Sequence, residues 1–379
     1  MRIVHWGKYY PPHMGGIESV TRVLAEGHAT AGHSVEVICF HDGATVTEQA
    51  GPVQVTRCRQ RLGAASQPLG WDYWRLGLRH ARGAGIVHLH GPNLLASLMT
   101  LRLARPTRLV VHWHSDIVGK GWLGRLLRPL EQAMLARADA IVCTSPPYAE
   151  HSAALRPWRD KVTSVPIGIE DPGHPVAPAA MPERVERFLA GRRHVFAIGR
   201  LVPYKGFAHL VDAAGQFPPD LAIVIGGNGP LRESLEARAV AAGVADRVLF
   251  TGRLSDAELD ALMRRAAVFC LPSVARSEAF GVVLLEAMAR GVPVVATRIS
   301  GSGVPWVNRD GESGLNVEFG DAQALAAACT RIAADPLLRE RFAQGARSNF
   351  ERRFTAEVMV DAMLDVYRQE GKAPIGSVS

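Results

Sequence analysis

Glu278 and Glu286 stand eight positions apart in Ser277-Glu278-Ala279-Phe280-Gly281-Val282-Val283-Leu284-Leu285-Glu286, a stretch that is otherwise almost wholly apolar. Phe280-Gly281 punctuates it as a loop, and Val282 to Ala289 reads as one buried helix closed by Gly291. Glu286 then lies one turn beyond Val282, on the same helix face. The free backbone N–H groups and positive dipole end at such a helix start suit an anionic phosphate. The two carboxylates, one before and one after that position, can each accept hydrogen bonds from hydroxyls. An anion flanked by two polyols describes a nucleotide sugar. The competing reading is a core helix whose one buried Glu pairs with a Lys or Arg, because charges are rarely buried alone.

A second constellation is Gly199-Arg200-Leu201-Val202-Pro203-Tyr204-Lys205-Gly206. A strand is expected to end at Gly199 and a helix to begin after Gly206, which leaves one guanidinium and one ammonium in the intervening loop. Those groups match a departing pyrophosphate, which carries several negative charges. Two loop cations can equally be solvated surface charges, although a strand-end position favours the chemical role. Gly15-Gly16 closes the loop after Tyr9-Tyr10-Pro11-Pro12-His13-Met14, with a helix expected from Ile17, and paired glycines there let backbone N–H groups approach an anion. Ile225-Gly226-Gly227-Asn228-Gly229-Pro230 is another strand-to-helix turn. Its spacing is not the dinucleotide fingerprint, and ligand contact through Gly227 and Gly229 competes with a plain tight turn. His88/His90 and His112/His114 form two His-x-His pairs at the ends of successive strands. That is a metal-ligand spacing, yet no companion carboxylates or thiolates follow, so a structural role for these histidines also stands. The chain has no Asp-x-Asp element through which a divalent ion could hold a diphosphate.

Taken together, these residues resemble the large retaining glycosyltransferase family 4, whose bacterial mannosyl- and glucosyltransferases have the GT-B fold. The Glu278/Glu286 pair matches its E-x7-E motif, and Arg200 and Lys205 match its G-R-x-x-x-x-K-G element. The resemblance implies that Glu278 binds donor-sugar hydroxyls and Glu286 the ribose diol. It implies a donor-binding set of Gly15, Gly16, Gly199, Gly227, Gly229, Phe280, Gly281, Val282 and Glu286, and a reacting set of His114, Arg200, Lys205 and Glu278. His114, in Val110-Val111-His112-Trp113-His114-Ser115-Asp116, corresponds to the family's cleft histidine beside the reacting carbon. Retention, a nucleotide-diphosphate-sugar substrate with no cofactor, and no required metal follow from the same resemblance. The implied acceptor is a lipid-linked saccharide or a polysaccharide. One departure is visible: where many members carry Gly-Gly-x-x-Glu, this chain has Gly301-Ser302-Gly303-Val304-Pro305-Trp306, which leaves the sugar choice open. Two alternatives are a nucleotide-sugar epimerase of the same fold, which needs an acid/base carboxylate pair, and a non-catalytic sugar-nucleotide-binding subunit.

The elements that must hold these groups are legible. Ile3–Trp6, Ser34–Phe40, Gln54–Cys58, Ile86–His90, Leu109–His114, Ala140–Thr144 and Val162–Ile167 read as short buried strands, separated by amphipathic runs such as Glu18–Ala31, Trp71–Arg82 and Arg125–Ala138. Such alternation argues for an α/β chain with parallel sheets covered on both faces. Around 172–189 the chain turns rich in Pro, Ala and Gly and reads as a linker. Alternation restarts at His194–Gly199, Leu221–Ile225, Val248–Thr251, Val268–Leu271 and Val292–Ala296. The expected architecture is two Rossmann-like doubly wound domains, 1–171 and 190–354, facing across a cleft. Helices Pro336–Phe354 and Thr355–Gln369 follow, and the resemblance implies that the last one, within 355–379, packs back on the first domain.

Composition sets the remaining bounds. At 379 residues, two domains are the natural division. A hydrophobic content of 47% with 21% charged residues fits a globular protein, and no apolar run is long enough for a membrane span. The amino terminus enters Arg2-Ile3-Val4-His5-Trp6 directly and is read as carrying no secretory signal. Five scattered cysteines fit buried thiols in a reducing cytoplasm. The net charge is +7, and residues 1–180 hold 19 Lys+Arg against 13 Asp+Glu, so +6 lies in the first half. The basic residues form no aromatic-interleaved stripe, which ranks nucleic acid last as a partner. Lys120-Gly121-Trp122-Leu123-Gly124-Arg125-Leu126-Leu127-Arg128 mixes cations, a tryptophan and leucines. It suits either peripheral contact with an anionic membrane at the inner face of the cell membrane or a packed helix with snorkelling arginines.

Overall fold

A computed structural model describes residues 1–13, 15–64, 67–116, 121–173 and 180–369, with 62–64 and 121–125 described by their backbone. It separates into two compact units, Met1–Glu170 with the segment from Thr355 onward, and Asp171–Phe354.

The first unit contains β1 (Arg2–Trp6), β2 (Ser34–His41), β3 (Val46–Ala50), β4 (Val53–Arg59), a small hairpin of β5 (Leu62–Ala64) and β6 (Gln67–Leu69), β7 (Ile86–Gly91), β8 (Arg108–Trp113), β9 (Ala140–Cys143) and β10 (Val162–Ser164). Its main sheet runs β10-β9-β8-β7-β1-β2-β4-β3, parallel except for β3 against β4. Order along the chain reverses between β1 and β7, so ligands are expected beyond the carboxyl ends of those two strands. Strands β1, β7, β8 and β9 are buried almost along their full length, as a parallel sheet covered on both faces requires. Helix Ala356–Arg368, capped by Thr355 Oγ1 accepting from the Val358 amide, belongs to this unit and buries Met359, Val360, Met363, Leu364 and Tyr367.

The second unit contains β11 (Arg193–Ile198), β12 (Leu221–Gly226), β13 (Val248–Gly252), β14 (Val268–Leu271), β15 (Val294–Arg298) and β16 (Gly314–Glu318). These six strands are all parallel, in the order β13-β12-β11-β14-β15-β16, and the reversal falls between β11 and β14. Its core is aliphatic and aromatic, with Val195, Ile223, Ile225, Val268, Val295, Phe207 and Phe342 among its buried members.

Several boundaries differ from expectation. Strand β3 is absent from the sequence reading because Val46-Thr47-Glu48-Gln49-Ala50 is polar and exposed. It is held at the sheet edge by its ladder, by Thr47 against Thr56 at 3.0 Å and by Arg57 Nε on Glu48 at 2.6 Å. The linker expected over 172–189 is shorter, because Glu183–Leu189 forms a helix with Val185 and Leu189 buried in the second unit. Residues 174–179 of that linker lie outside the described residues. Helix Val282–Ala289 has the expected bounds, whereas the first helix begins at Gly16. All five cysteines are buried and outside any disulfide, and burial pushes the Cys39 and Cys58 thiols up to about 12.

Candidate functional site

In the second unit the sequence-marked residues gather at the reversal point. The loop after β11 delivers Lys205 and the loop after β14 delivers Glu278, and their side chains meet as an ion pair with Nζ–Oε2 at 2.5 Å. Both side chains are largely buried, at 13% and 10% exposure. Ser273 Oγ, fully buried just past β14, donates to the same carboxylate oxygen at 3.0 Å. The Glu278 loop is fixed by its own backbone as well. The Glu278 amide donates to Ala275 O at 2.9 Å, the Gly303 amide donates to Ala279 O at 2.8 Å, and the Ser302 hydroxyl donates to Glu278 O. Ser302 Oγ also accepts from the Val304 amide at 3.1 Å. The Gly301-Ser302-Gly303 departure from the family pattern therefore has a concrete role here: Ser302 ties down the loop that carries the carboxylate.

Arg200 behaves differently. It is exposed, and among the described residues its guanidinium has no hydrogen-bond or ion-pair partner. Of the two loop cations, one is committed to Glu278 and one is available to an incoming anion. The paired glutamate of the competing reading thus exists, but at Glu278 in the loop rather than in the helix. Glu286 is partly buried, and burial raises its carboxyl above the usual range despite the nearby Arg290 guanidinium. Arg290 itself donates to the Glu286 carbonyl and to Asp260 Oδ1.

Gly281 starts the eight-residue helix Val282–Ala289 from the left-handed region at φ 79°, a conformation that favours glycine. Phe280, by contrast, is 3% exposed and packs with Trp306 and Phe354 at ring separations of 6.4 and 6.0 Å, so its side chain anchors the loop from below. Gly227 and Gly229 serve close approach between two turns. A Cβ on Gly227 would stand 2.0 Å from Gly199 O, and one on Gly229 would stand 2.5 Å from Leu201 O. The Leu201 amide bonds Asn228 O and the Leu231 amide bonds Leu201 O, which locks the Gly199–Lys205 loop to its neighbour. The tight-turn reading of these glycines has a full structural account, and it also positions Arg200.

In the first unit Gly15 is extended and Gly16 opens the fifteen-residue helix Gly16–Thr30. A Cβ on Gly16 would meet nothing within 4 Å. A Cβ on Gly15 would stand 2.1 Å from Glu18 Oε2, so the carboxylate nearest this helix start is the chain's own Glu18. His114 follows β8 and is 6% exposed.

Sequence reading treated His88, His90, His112 and His114 in pairs and missed His5 and His28. All six are buried. Register explains the gathering: His5 on β1 sits opposite His88 on β7, and His90 opposite His112 on β8. His5 Nδ1 meets His90 Nε2 at 3.0 Å, His90 Nδ1 meets His114 Nε2 at 3.2 Å, and His88 Nε2 meets His112 Nδ1 at 3.3 Å. His88 Nδ1 bonds the Tyr367 hydroxyl from the last helix. Burial pushes His5 and His114 down to about 3 and His28 to about 2. Two triads, His5/His88/His90 and His90/His112/His114, have ligand atoms within 4.8 Å of one another. Their nitrogens, however, are already spent largely on each other. No carboxylate or thiolate joins either triad among the described residues, so a divalent ion would sit buried without compensating charge. The donor set fits a neutral imidazole network better than a metal centre. The signal available in the sequence was His5 near the end of the first strand, a polar residue among apolar ones, and the β1–β7 register puts it opposite His88.

Comparison with known proteins follows from this geometry. Residues 183–349 match the family "Glycosyl transferases group 1" and residues 15–168 match the "Glycosyl transferase 4-like domain". The chain is 32% identical over 373 residues to O-antigen chain mannosyltransferase C of Escherichia coli, covering 97% of this chain and 98% of that one. It is also 32% identical over 358 residues to D-rhamnosyltransferase WbpZ of Pseudomonas aeruginosa, covering 94% and 93%. Sucrose-phosphate synthase from Thermosynechococcus elongatus shares the fold, with a TM-score of 0.77 at 24% identity over 97% of this chain and 98% of that one. Two Rossmann-like units of this topology, matched over nearly their whole length to such relatives, mean that the chain belongs to the group 1 glycosyltransferases with a glycosyltransferase 4-like amino-terminal domain.

Proposed function

We propose that this glycosyltransferase is a retaining, metal-independent enzyme that moves a hexosyl unit, mannose from GDP-mannose, to a lipid-linked or polysaccharide acceptor in cell-surface glycan synthesis. The observation that carries the reading is the split between its two loop cations. Lys205 is tethered to Glu278, while Arg200, in the same loop, is exposed and has no partner among the described residues. When the donor enters, its diphosphate recruits Arg200 and competes for Lys205, and its sugar hydroxyls take over hydrogen bonds from Glu278. In the transfer step the bond from the anomeric carbon to the leaving phosphate oxygen breaks and a bond to the acceptor oxygen forms on the same face. The acceptor's proton passes to the leaving phosphate, so no protein nucleophile is needed.

The mannosyl donor is supported by the 32% identity to an O-antigen mannosyltransferase, and the equal identity to a D-rhamnosyltransferase makes a rhamnosyl donor the second one to test. The epimerase alternative is unsupported, since the two sequence relatives are named as transferases. A non-catalytic binding role is disfavoured by the free Arg200, which binding alone has little need to hold ready. Among the described residues no helix is long and apolar enough to cross a membrane. Contact with the inner membrane face is proposed to be peripheral, through the basic first half of the chain.

The test is transfer by the purified protein from labelled GDP-mannose, with UDP-, dTDP- and ADP-sugars and a rhamnosyl donor in parallel, read by product analysis and by thermal shift. Only a true ligand raises the melting temperature by mass action. Release of free sugar or nucleotide without transfer, or stabilisation by none of the donors, would overturn the reading.

A further inference from the structure

Positive charge in the first unit is concentrated in one segment. Residues 71–108 hold six arginines and one acid, so five of the six excess positive charges of residues 1–180 lie within them. The segment forms helix Trp71–Ala81, strand β7 and helix Leu94–Met99 with its short continuation Thr100–Arg102. Helix Gly121–Arg137 follows β8, and the three helices lie side by side. Sheet order explains this layer. The connections β4 to β7, β7 to β8 and β8 to β9 all step the same way across the sheet, whereas β1 to β2 steps the opposite way. Right-handed crossovers therefore put these three helices on one face of the sheet and helix Gly16–Thr30 on the other. The last helix, Ala356–Arg368, packs on Gly16–Thr30 and shares its side.

The two sides of this unit carry opposite charge. Among the described side chains of the three-helix layer, every exposed one is arginine, tryptophan, leucine, proline or alanine, and none is acidic. Trp71 is 67% and Leu101 57% exposed. Arg75, Arg79 and Arg102 are exposed beside them, with Arg105 just past the layer, and none of the four has a hydrogen-bond or ion-pair partner among the described residues. Both acids of the layer are withdrawn. Asp72 accepts from the Thr45 hydroxyl, and Glu131 is only partly exposed, with burial pushing its carboxyl up to about 7. Helix Ala356–Arg368 shows the reverse: Glu357, Asp361 and Asp365 are exposed at successive turns, and Arg368 is tied to Asp365. Unpaired guanidiniums beside an exposed tryptophan and leucines suit a lipid interface, where apolar side chains enter the headgroup boundary and the cations meet phosphates. A nucleic-acid backbone would use the arginines but has no use for exposed Leu98, Leu101 and Leu126.

We propose that the outer face of this three-helix layer is a docking surface for an anionic lipid bilayer, and that the acidic last helix on the opposite side makes the first unit bind in a single orientation. This rests on the peripheral membrane contact proposed above and narrows it from the basic first half of the chain to one helical layer. Arg75, Arg79, Arg102 and Arg105 join the Lys120–Arg128 segment in supplying the attraction, and Trp71 and Leu101 supply apolar insertion. Each cation near an anionic surface raises partitioning about five-fold, so four together are worth roughly 10²-fold or more. Attachment of this kind is reversible and screened by salt.

Flotation of the full chain with vesicles of equal parts phosphatidylglycerol and phosphatidylcholine is the test. Wild type is expected to float at low salt and to stay behind with phosphatidylcholine alone. Arg75→Glu/Arg79→Glu/Arg102→Glu/Arg105→Glu should lower the partition coefficient by roughly 10²-fold or more. A charge-matched control at exposed arginines of the second unit, Arg187→Glu/Arg265→Glu/Arg331→Glu/Arg341→Glu, should float as wild type does, because charges away from the contact are screened. Equal loss in the two variants would reduce the effect to net charge and overturn the proposal. So would a wild type that binds a single-stranded RNA oligonucleotide but no vesicle, which would assign the face to nucleic acid. If the arginine variant fails to fold, Trp71→Ala/Leu101→Ser carries the test, with partitioning expected to fall several-fold. Orientation is read separately, since all five native cysteines are buried. An environment-sensitive fluorophore on Leu101→Cys should shift to the blue when vesicles are added, and the same label on Asp361→Cys should not. Equal shifts at both positions would overturn the single orientation. If vesicles bind through this face but no sugar donor supports transfer, the functional reading fails while the surface stands. If transfer succeeds and flotation fails, the surface alone falls.

Discussion

The two units share one topological idea and fill it with different chemistry. In the second, the core is largely aliphatic and aromatic, and its charged cluster lies past the strand ends, where Lys205, Ser273 and Glu278 meet. In the first, the strands flanking the reversal point carry imidazoles, and six buried rings stack, five of them also hydrogen-bonded to one another. The difference teaches that a Rossmann-like core needs filled volume, not hydrocarbon as such. It also predicts that the units fail under different conditions.

Acid should separate them most. In the folded first unit burial lowers the pKa of all six histidines, to about 3 for His5 and His114 and about 2 for His28. The unfolded chain, with ordinary histidines near 6.5, binds more protons below that pH. Stability from each ring is therefore full above about pH 6.5 and falls as pH drops toward the folded value. At pH 5 each such ring costs about 2 kcal/mol. The second unit has one comparable ring, His194 at about 4, among its described residues. Denaturant titrations at pH 7.5 and 5, followed by peptide-resolved proteolysis, should show β1, β7 and β8 opening first in acid. Equal loss in both units would break the comparison.

Activity should depend on the second unit's cations. Arg200→Ala and Lys205→Ala are each expected to lower turnover by roughly 10²-fold or more, the scale for one charge-stabilising group. They should differ in stability. Removing Lys205 leaves Glu278 buried and unpaired, at a cost of up to about 3–5 kcal/mol, whereas Arg200 is exposed and its loss should leave the melting temperature unchanged. Lys205→Met with Glu278→Leu should regain stability without regaining turnover. Two stable, active single variants would remove the pair from the mechanism.

Membrane contact should be weaker and salt-sensitive. Leu126 is 65% exposed on helix Gly121–Arg137, while Lys120 and the side chains of Trp122, Leu123 and Arg125 lie outside the described residues. Each cation near an anionic surface contributes about 1 kcal/mol. Wild type should float with anionic liposomes at low salt, and Trp122→Ala/Arg125→Glu/Arg128→Glu should not. Equal, poor flotation of both would point to a soluble acceptor. Least of all should change on chelation. With Arg200 and Lys205 proposed to hold the diphosphate and no Asp-x-Asp in the chain, turnover is expected to persist in EDTA, and loss restored by Mg²⁺ would overturn that expectation.

Much of this was legible along the chain. Alternating buried strands and amphipathic helices determined two parallel sheets, since periodicity and β-branching act locally. Residue type and spacing marked Arg200, Lys205 and Glu278 in strand-end loops and Glu286 in an apolar helix, because charges stand out against apolar neighbours. Polar edge strand β3 was not legible, for its stability comes from cross-strand partners rather than its own composition. Neither was the joining of Lys205 to Glu278, which lie 73 residues apart and meet only because β11 and β14 are neighbours at the sheet's reversal. The imidazole network is the clearest case. His5, His28, His88, His90 and His112 are scattered over three strands and a helix, with His114 just past the third, and the parallel register of β1, β7 and β8 brings the strand members into one layer. Local sequence sets what each segment becomes, while hydrogen-bond direction and charge pairing belong to neighbours that only tertiary packing supplies.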